Sequence, residues 1–297
     1  MRYRPFGRTG VAVSALSLLL NGPDDRRKTG EWRGFIHAAF EEGINAFELR
    51  RPSQAMLDGF AEGAAAVKRS LLFVALRADP ALEGRRLEGW VADVVGRSGV
   101  GELNQLTLEA TAPDFEGALV AGLRLKDLNL VKRLAVAGSG EIMAEHIEDP
   151  LFDAVVLPFG VLSNWRDRNL VRTALERQMG VIGCDPCPPE VLSLARGAGE
   201  ESKPGFLQRR DPLRGAGTYA FLQETRGWTA EQICLAYALT EPAVATVQME
   251  VGDTQRLATL AGVTDRDLPS SVTAQIEMAR FSAEPAAEPE LRAKRRA

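Results

Sequence analysis

Short apolar segments alternate along this chain with segments of helical periodicity, and this alternation constrains the fold more than any other feature. Each apolar segment has the length and composition of a buried parallel strand. There are eight of them, at residues 16–20, 46–49, 71–76, 103–108, 134–137, 154–157, 181–184 and 245–249. Strands separated by helices in this way predict an α/β protein whose parallel sheet closes into a (β/α)8 TIM barrel.

A doubly wound open sheet is the alternative architecture for the same alternation. In its dinucleotide-binding form, a Gly-x-Gly-x-x-Gly motif follows the first strand, because the glycines allow the backbone to approach a pyrophosphate. No such motif opens any of the strand–helix units in this sequence. The closed barrel is therefore the favoured prediction.

The two ends of the chain differ from the repeating part. Residues 2–6 and 11–13 are short alternating segments on either side of a Gly-rich turn, which predicts an N-terminal β-hairpin. Residues 1–282 are expected to form a single barrel domain. Residues 283–297 contain no aromatic or β-branched residue. We predict a flexible C-terminal tail there, either without a role or as a docking segment for a partner.

Charge and composition narrow the function classes. The formal net charge of the 297 residues is −4, and Lys and Arg are spread along the chain, which argues against a nucleic-acid partner. No apolar run reaches the roughly 18 to 20 residues that cross a bilayer, and the first residues lack the apolar core of a signal peptide. The 3 cysteines do not indicate a disulfide scaffold. A cytoplasmic protein without a membrane span is therefore the expectation.

Five segments resemble the aldo-keto reductases, especially their bacterial and potassium-channel-β-like branch. They are residues 2–14, 39–47, 152–159, 180–183 and 229–236, and the resemblance extends over roughly residues 1–265. It implies a barrel that reduces carbonyls with NAD(P)H at the C-terminal ends of its strands. In that family a Tyr donates the proton, a Lys lowers the pKa of the Tyr, an Asp holds the Lys, and a His orients the carbonyl.

All four of these family positions carry other residues in this chain. The resemblance places Glu48 at the Asp position, Ser53 at the Tyr position, Arg77 at the Lys position and Thr107 at the His position. A serine hydroxyl is a far weaker acid than a phenol, whose pKa is about 10. An arginine effectively never gives up its proton. Glu48 and Arg77 are expected to form an ion pair across the barrel mouth, and we predict no catalytic residue at these positions.

Another tyrosine or histidine would have to replace the missing donor. The chain has 3 Tyr and 2 His. Tyr3 lies in the predicted hairpin, and Tyr237 lies within a late helix. The two histidines, His37 and His146, lie in helical segments. Tyr219 alone lies in a loop, just before that late helix. There it is either a surface aromatic or a residue able to reach the mouth.

NAD(H) or NADP(H) is the cofactor that the resemblance implies, and whether it binds is left open. Arg256 matches an Arg that the family places near the ribose phosphate. Gly138, Ser139 and Gly140 form a Gly-rich turn whose backbone N–H groups suit an anion. The other family contacts are replaced, at Leu19, Leu20, Val156, Glu250, Thr259 and Leu260.

Cys184 and Cys187 form a Cys-x-x-Cys motif at the end of the seventh predicted barrel strand. Such a motif is a redox pair or half of a zinc site in some proteins. The third cysteine, Cys234, lies on a helix and completes no ligand set. Buried or half-buried thiols are the simpler interpretation, and no metal site is predicted.

Two classes of function follow. The first is a non-catalytic regulatory or interaction protein with a protein partner. Relatives that act as channel subunits or in bacterial cell-division and cell-fate control suggest this class, with NAD(H) sensing as its candidate input. The second is an enzyme of altered chemistry at the mouth, using a nicotinamide cofactor or an anionic small substrate near Arg50, Arg51 and Arg77, with Asp79 nearby. A mouth filled by Leu19 and Leu20 would favour the non-catalytic protein. A deep pocket that contains carboxylates with shifted pKa values would favour the enzyme.

Overall fold

The computed structural model describes residues 1–22, 26–189, 191, 219 and 221–283. The N-terminal hairpin is present, with strands β1 (Tyr3–Pro5) and β2 (Ala12–Ser14) in antiparallel register around a 3-10 turn at Gly7–Thr9. Between the strand and the turn, Phe6 is fully buried and packs edge-on against Phe73, with ring centroids 4.7 Å apart. The hairpin therefore closes the end of the barrel at which the strands begin.

The barrel strands lie close to where the sequence predicts them. They are β3 (Leu16–Asn21), β4 (Ala46–Arg50), β5 (Phe73–Arg77), β6 (Gln105–Glu109), β7 (Leu134–Ala137), β8 (Ala154–Pro158), β9 (Gly180–Cys184) and β10 (Thr246–Met249). Each pairs in parallel with the next, and β10 pairs with both β9 and β3. This closure confirms the (β/α)8 barrel with its N-terminal hairpin, and the open-sheet alternative is wrong.

The helices follow the strands on the outside of the barrel. In the described part of the chain they are α1 (Thr29–Glu41), α2 (Gln54–Ala64), α3 (Gly84–Ser98), α4 (Phe115–Asp127), α5 (Ile142–Glu148), α6 (Trp165–Glu176), α7 (Phe221–Glu224), α8 (Ala230–Ala238), α9 (Thr254–Ala261) and α10 (Ser270–Ala283). None of these described helices has the length and apolar character needed to cross a membrane. Helix α10 ends at Ala283, where the predicted tail begins, and residues 284–297 of that tail lie outside the described residues.

Alternation along the strands separates two apolar regions. Large residues such as Leu18, Leu49 and Leu76 face outward and pack in one cluster with the helices. Small residues such as Ala75 and Ala135 belong to a separate cluster inside the barrel with Phe6. Because the interior positions are small or polar toward the C-terminal strand ends, these ends leave room for charged side chains at the mouth.

Candidate functional site

A cluster of charged and amide side chains occupies the centre of the barrel mouth. Arg77, at the end of β5, donates from Nη2 to Glu48 Oε2 of β4 over 2.7 Å and to Gln248 Oε1 of β10 over 3.3 Å. Its Nη1 donates to Glu109 Oε1 of β6 over 3.3 Å. Gln248 Nε2 donates to the same Glu48 oxygen over 2.8 Å. The ion pair expected between Glu48 and Arg77 is present, and it is part of a network that joins four strands.

The network is largely buried, and its one guanidinium lies between two carboxylates. The side chain of Glu48 is 2% exposed and that of Arg77 is 11% exposed. Burial by itself lowers the pKa of the Arg77 guanidinium. The charge of Glu48, the hydrogen bond to Glu48 and the charge of Glu109 together outweigh this effect, so the pKa lies above its ordinary value. Arg77 is therefore a permanent cation and not a proton donor. Within the described part of the chain, Glu48 Oε1 and Arg77 Nε have no hydrogen-bond partner.

The other two positions of the family tetrad have structural contacts. Ser53 is the N-cap of α2, and its Oγ accepts a hydrogen bond from the backbone N–H of Met56 over 3.2 Å. Thr107 is fully buried on β6, and its Oγ1 lies 3.0 Å from Gln105 Nε2, which donates to it. The structure thus brings Glu48 and Arg77 together, while the Ser53 hydroxyl is used in a helix cap.

No tyrosine or histidine contacts this cluster, and all five of these residues are described. The hydroxyl of Tyr3 donates to Gly43 O over 2.7 Å at the hairpin end of the barrel. The hydroxyl of Tyr237 donates to Glu277 over 2.5 Å on the outer side of the barrel. His146 packs against Phe115, and His37 is exposed on α1.

The expectation that Tyr219 is a surface aromatic is wrong, because its side chain is buried. It is 5% exposed and lies in a second apolar cluster with Cys234, Tyr237 and Ile276, between the barrel and α10. Burial raises the pKa of its phenol above the ordinary value. Its hydroxyl has no hydrogen-bond partner within the described residues. The sequence placed it in a loop, but its apolar neighbours come from segments distant along the chain.

The Gly-rich turn after β7 lies at one side of the mouth. Ser139 and Gly140 line a pocket of about 180 Å³ together with Asp167 and Asp185. Gly138 is enclosed by packing, since a Cβ at this position would lie 2.9 Å from Met143 Sδ. Two carboxylates in so small a pocket, with no Lys or Arg among its described lining residues, oppose the binding of a phosphate. This turn remains a predicted cofactor contact on sequence grounds alone.

Arg256 lies in a different pocket, of about 350 Å³, which Leu19 and Leu20 also line. Its guanidinium binds Glu231 through Nε, at 3.2 and 3.3 Å, and through Nη2, and Nη1 donates to Glu250 O over 3.2 Å. The hydrogen bond to Glu231 is the main cause of its raised pKa.

The N-terminus of α9 next to Arg256 is also occupied. The Asp253 carboxylate accepts from the backbone N–H of Arg256 over 2.8 Å, so a negative charge already lies where a phosphate would use the helix dipole. A dinucleotide phosphate would have to displace Glu231 and approach Asp253. The residues present therefore do not fit a dinucleotide, although Arg27, which stacks 4.3 Å over the Trp32 ring, adds a second cation to this pocket.

Leu19 and Leu20 lie on opposite faces of β3. Leu20 is buried in the outer cluster between the strands and the helices, whereas Leu19 is only partly buried and pairs in register with Glu48 on the face that points into the barrel. Leu19 therefore lies beside the charged network at the mouth. The sequence predicts the pairing of Glu48 with Arg77 but not the participation of Gln248 and Glu109. Their signal is polarity at alternating positions of otherwise apolar strands, because such positions face the barrel interior.

The Cys-x-x-Cys motif forms no disulfide. Cys184 and Cys187 are half-buried and Cys234 is buried, all as free thiols, in agreement with the simpler interpretation. Burial, followed by the charge of Asp185, raises the pKa of Cys184 above its ordinary value. A hydrogen bond with the Cys187 side chain, followed by burial, raises that of Cys234. Among the described residues, no three His, Cys, Asp or Glu side chains are placed to hold a metal ion.

Comparison with known proteins gives structural relatives only. No protein-family model matches the sequence, and no curated protein sequence matches it. Among solved structures, the holo form of aldo-keto reductase AKR11C1 from Bacillus halodurans superposes with a TM-score of 0.74 at 16% identity. The match covers 98% of this chain and 99% of that one. The apo form gives a TM-score of 0.72 with the same identity and coverage.

The chain has the fold of an aldo-keto reductase. The match extends over nearly the whole of both chains, so the likeness is one of the complete fold and not of a single segment. The resemblance recognised in the sequence is confirmed at the level of the fold. At 16% identity the activity does not follow from the likeness, and it has to be argued from the side chains at the mouth.

Proposed function

We propose that this chain is a non-catalytic protein on an aldo-keto reductase fold, which acts by binding and does not reduce carbonyls. The observation that carries the proposal is the closed network of Glu48, Arg77, Glu109 and Gln248 at the mouth. Carbonyl reduction needs a proton donor of suitable pKa next to the hydride acceptor. The single cation of this network, Arg77, is held in ion pairs with both of its carboxylates, and no phenol or imidazole contacts them.

The contacts of the two remaining tetrad positions support the same proposal. The Ser53 hydroxyl caps α2, and it is also too short to reach the place of a phenol. The carboxylates Glu231 and Asp253 compete with a nucleotide for Arg256 and for the end of α9. A regulatory protein that acts through a protein partner is consistent with this loss of chemistry, because barrel function lies in the loops while the sheet supplies stability. The role in bacterial cell division or cell fate, and a cytoplasmic location, rest on the sequence resemblance and composition alone.

The test uses the purified full-length chain with NADPH and NADH and a panel of aldehydes and ketones, followed by the loss of nicotinamide absorbance. We expect no turnover above the protein-free rate. The mouth variant is Glu48→Leu with Arg77→Met, because the double change leaves neither member of the buried pair without its partner. Turnover that persists through purification, is abolished by this variant and is unchanged by the exposed control Arg172→Gln on α6 would overturn the proposal, because it would place the chemistry at this mouth. Turnover that neither variant changes would point to a contaminant.

Nucleotide binding is measured separately by calorimetry. We expect no saturable micromolar binding of NADH or NADPH, since Glu231 already occupies Arg256. Saturable binding without turnover would leave the chain non-catalytic and assign NAD(H) sensing to it. In that case Arg256→Gln should weaken the binding, and the search would turn to partners whose affinity changes with the nucleotide.

A further inference from the structure

A pocket of about 380 Å³ lies beside the charged network, where β4, β5 and β6 end. Its volume is within the range of roughly 300–1,000 Å³ that small-molecule sites occupy. Arg50, Arg51, Asp79 and Glu109 supply its charged lining, and Ala78 and Pro80 belong to its apolar part. It is therefore large enough for a small organic molecule with a charged group.

The charges in this pocket are unequally satisfied. Glu109 accepts from Arg77 over 3.3 Å, and the Asp79 carboxylate accepts from the backbone N–H of Ala81 over 3.0 Å. In contrast, neither Arg50 nor Arg51 has an ion pair or a side-chain hydrogen bond with any described residue. The two carboxylates have partners, whereas the guanidinium groups of the half-buried Arg50 and the exposed Arg51 have none among the described residues.

The register of the barrel places a second arginine next to Arg77. Arg50 of β4 is the direct neighbour of Arg77 of β5, and like charges on adjacent strands repel each other. The carboxylates of Glu48 and Glu109 lie within ion-pair distance of Arg77, and no described carboxylate lies within that distance of Arg50. An anion bound in the pocket would give the Arg50 guanidinium a partner of its own.

The backbone holds the second arginine in an unfavourable conformation. Arg51 has a φ of +43°, in the left-handed region that glycine adopts more readily. Gly22 fixes this turn, because its N–H donates to Arg50 O over 3.0 Å and a Cβ at residue 22 would lie 2.1 Å from Arg51 O. Strained positions of this kind occur preferentially at ligand sites. Glycine would suit position 51 better for stability, so the arginine side chain calls for another explanation.

We propose that this pocket binds a small organic anion through Arg50 and Arg51. The anionic group is a carboxylate or a phosphate, which guanidinium groups bind through paired N–H donors. The apolar body of the ligand packs against the Ala78 and Pro80 side of the pocket. The inference deepens the proposed function, because it gives the non-catalytic mouth a ligand class, and it requires neither a nicotinamide nor a reaction.

The experiment is calorimetric titration of the full chain with inorganic phosphate, glycerol 3-phosphate and succinate, without nucleotide. We expect saturable binding of at least one probe. Binding of the phosphates but not of succinate assigns a phosphate site, and the reverse assigns a carboxylate site. Arg50→Gln and Arg51→Gln should each weaken binding at least tenfold, while Arg172→Gln, an exposed arginine on α6, should leave it unchanged.

A further variant separates binding from folding. Arg51→Gly relieves the left-handed strain, so it should raise the melting temperature and still weaken binding tenfold or more. No saturable binding of any probe would overturn the proposal, as would binding that the Arg50 and Arg51 variants do not change. Carbonyl turnover would overturn the proposed function but not this site, so the two failures can be told apart.

Discussion

Arg77 and Glu48 form a 2.7 Å salt bridge inside the barrel mouth, and they come from neighbouring strands, two positions apart in register. The side chains are almost completely buried, so their mutual attraction is screened much less than that of a surface pair. Gln248 contacts both of them. Through Gln248, the pair therefore connects β10, which closes the barrel, to β4 and β5.

Removal of the Glu48 charge should leave the buried Arg77 with Glu109, at 3.3 Å, as its remaining carboxylate partner. We expect Glu48→Gln to lower the free energy of unfolding by up to about 3 kcal/mol, and Glu48→Leu with Arg77→Met together to cost much less. Urea unfolding measures both. Arg33→Ala is the control, because its ion pair with Glu62 is about half exposed and should contribute less than about 1 kcal/mol. Equal losses for Glu48→Gln and Arg33→Ala would contradict the buried-pair argument.

The Ser53 hydroxyl should contribute to stability and to nothing else. Ser53→Ala removes the N-cap of α2 and should lower the free energy of unfolding by about 1 kcal/mol, whereas Ser53→Asn keeps a neutral capping oxygen and should be close to wild type. The readouts are thermal unfolding and the anion titration described above. A change in anion affinity in Ser53→Asn larger than twofold, at unchanged stability, would give Ser53 a role at the mouth.

Gly180 is required by the packing of the hairpin residue Phe6 at the closed end of the barrel. A Cβ at Gly180 would lie 2.4 Å from the Phe6 ring. Gly180→Ala should therefore cost about 1–3 kcal/mol, and Phe6→Leu in the same chain should recover part of the loss. The matched control is Gly89→Ala on the exposed face of α3, where nothing lies within 4 Å; it should be neutral or stabilising by up to about 1 kcal/mol.

Tyr237 should make stability depend on alkaline pH. Burial and the hydrogen bond to Glu277 raise its pKa from 10.0 to about 12. Because the phenol stays protonated longer in the folded state, its contribution is complete below pH 10 and is lost as the pH rises through 12. Wild type should lose about 2–3 kcal/mol more than Tyr237→Phe across this interval. Parallel curves for the two proteins, or a spectroscopic titration without a late phenol, would contradict the assignment.

The cysteines should react slowly in the folded chain. Burial raises the pKa of Cys184, and the hydrogen bond with Cys187, followed by burial, raises that of Cys234. Only the thiolate is nucleophilic, so iodoacetamide at about pH 8 should alkylate Cys184 and Cys234 much more slowly in the native chain than in urea. Peptide mass mapping assigns the sites. Native rates equal to those in urea would indicate an activated motif.

The sequence alone determined the barrel, because its eight apolar strands alternate with helical segments and short-range periodicity is readable without contacts. It also predicted the Glu48–Arg77 pair. It did not reveal that Gln248 and Glu109 join that pair, since they come from β10 and β6, and closure of the sheet decides which distant residues meet.

Tertiary structure likewise decided where Tyr219 lies and which residue binds Arg256. It buried Tyr219 among residues far away in sequence and placed Glu231 on Arg256. Side-chain partners across a barrel depend on strand register and on which face each residue presents, and neither is fixed by local sequence.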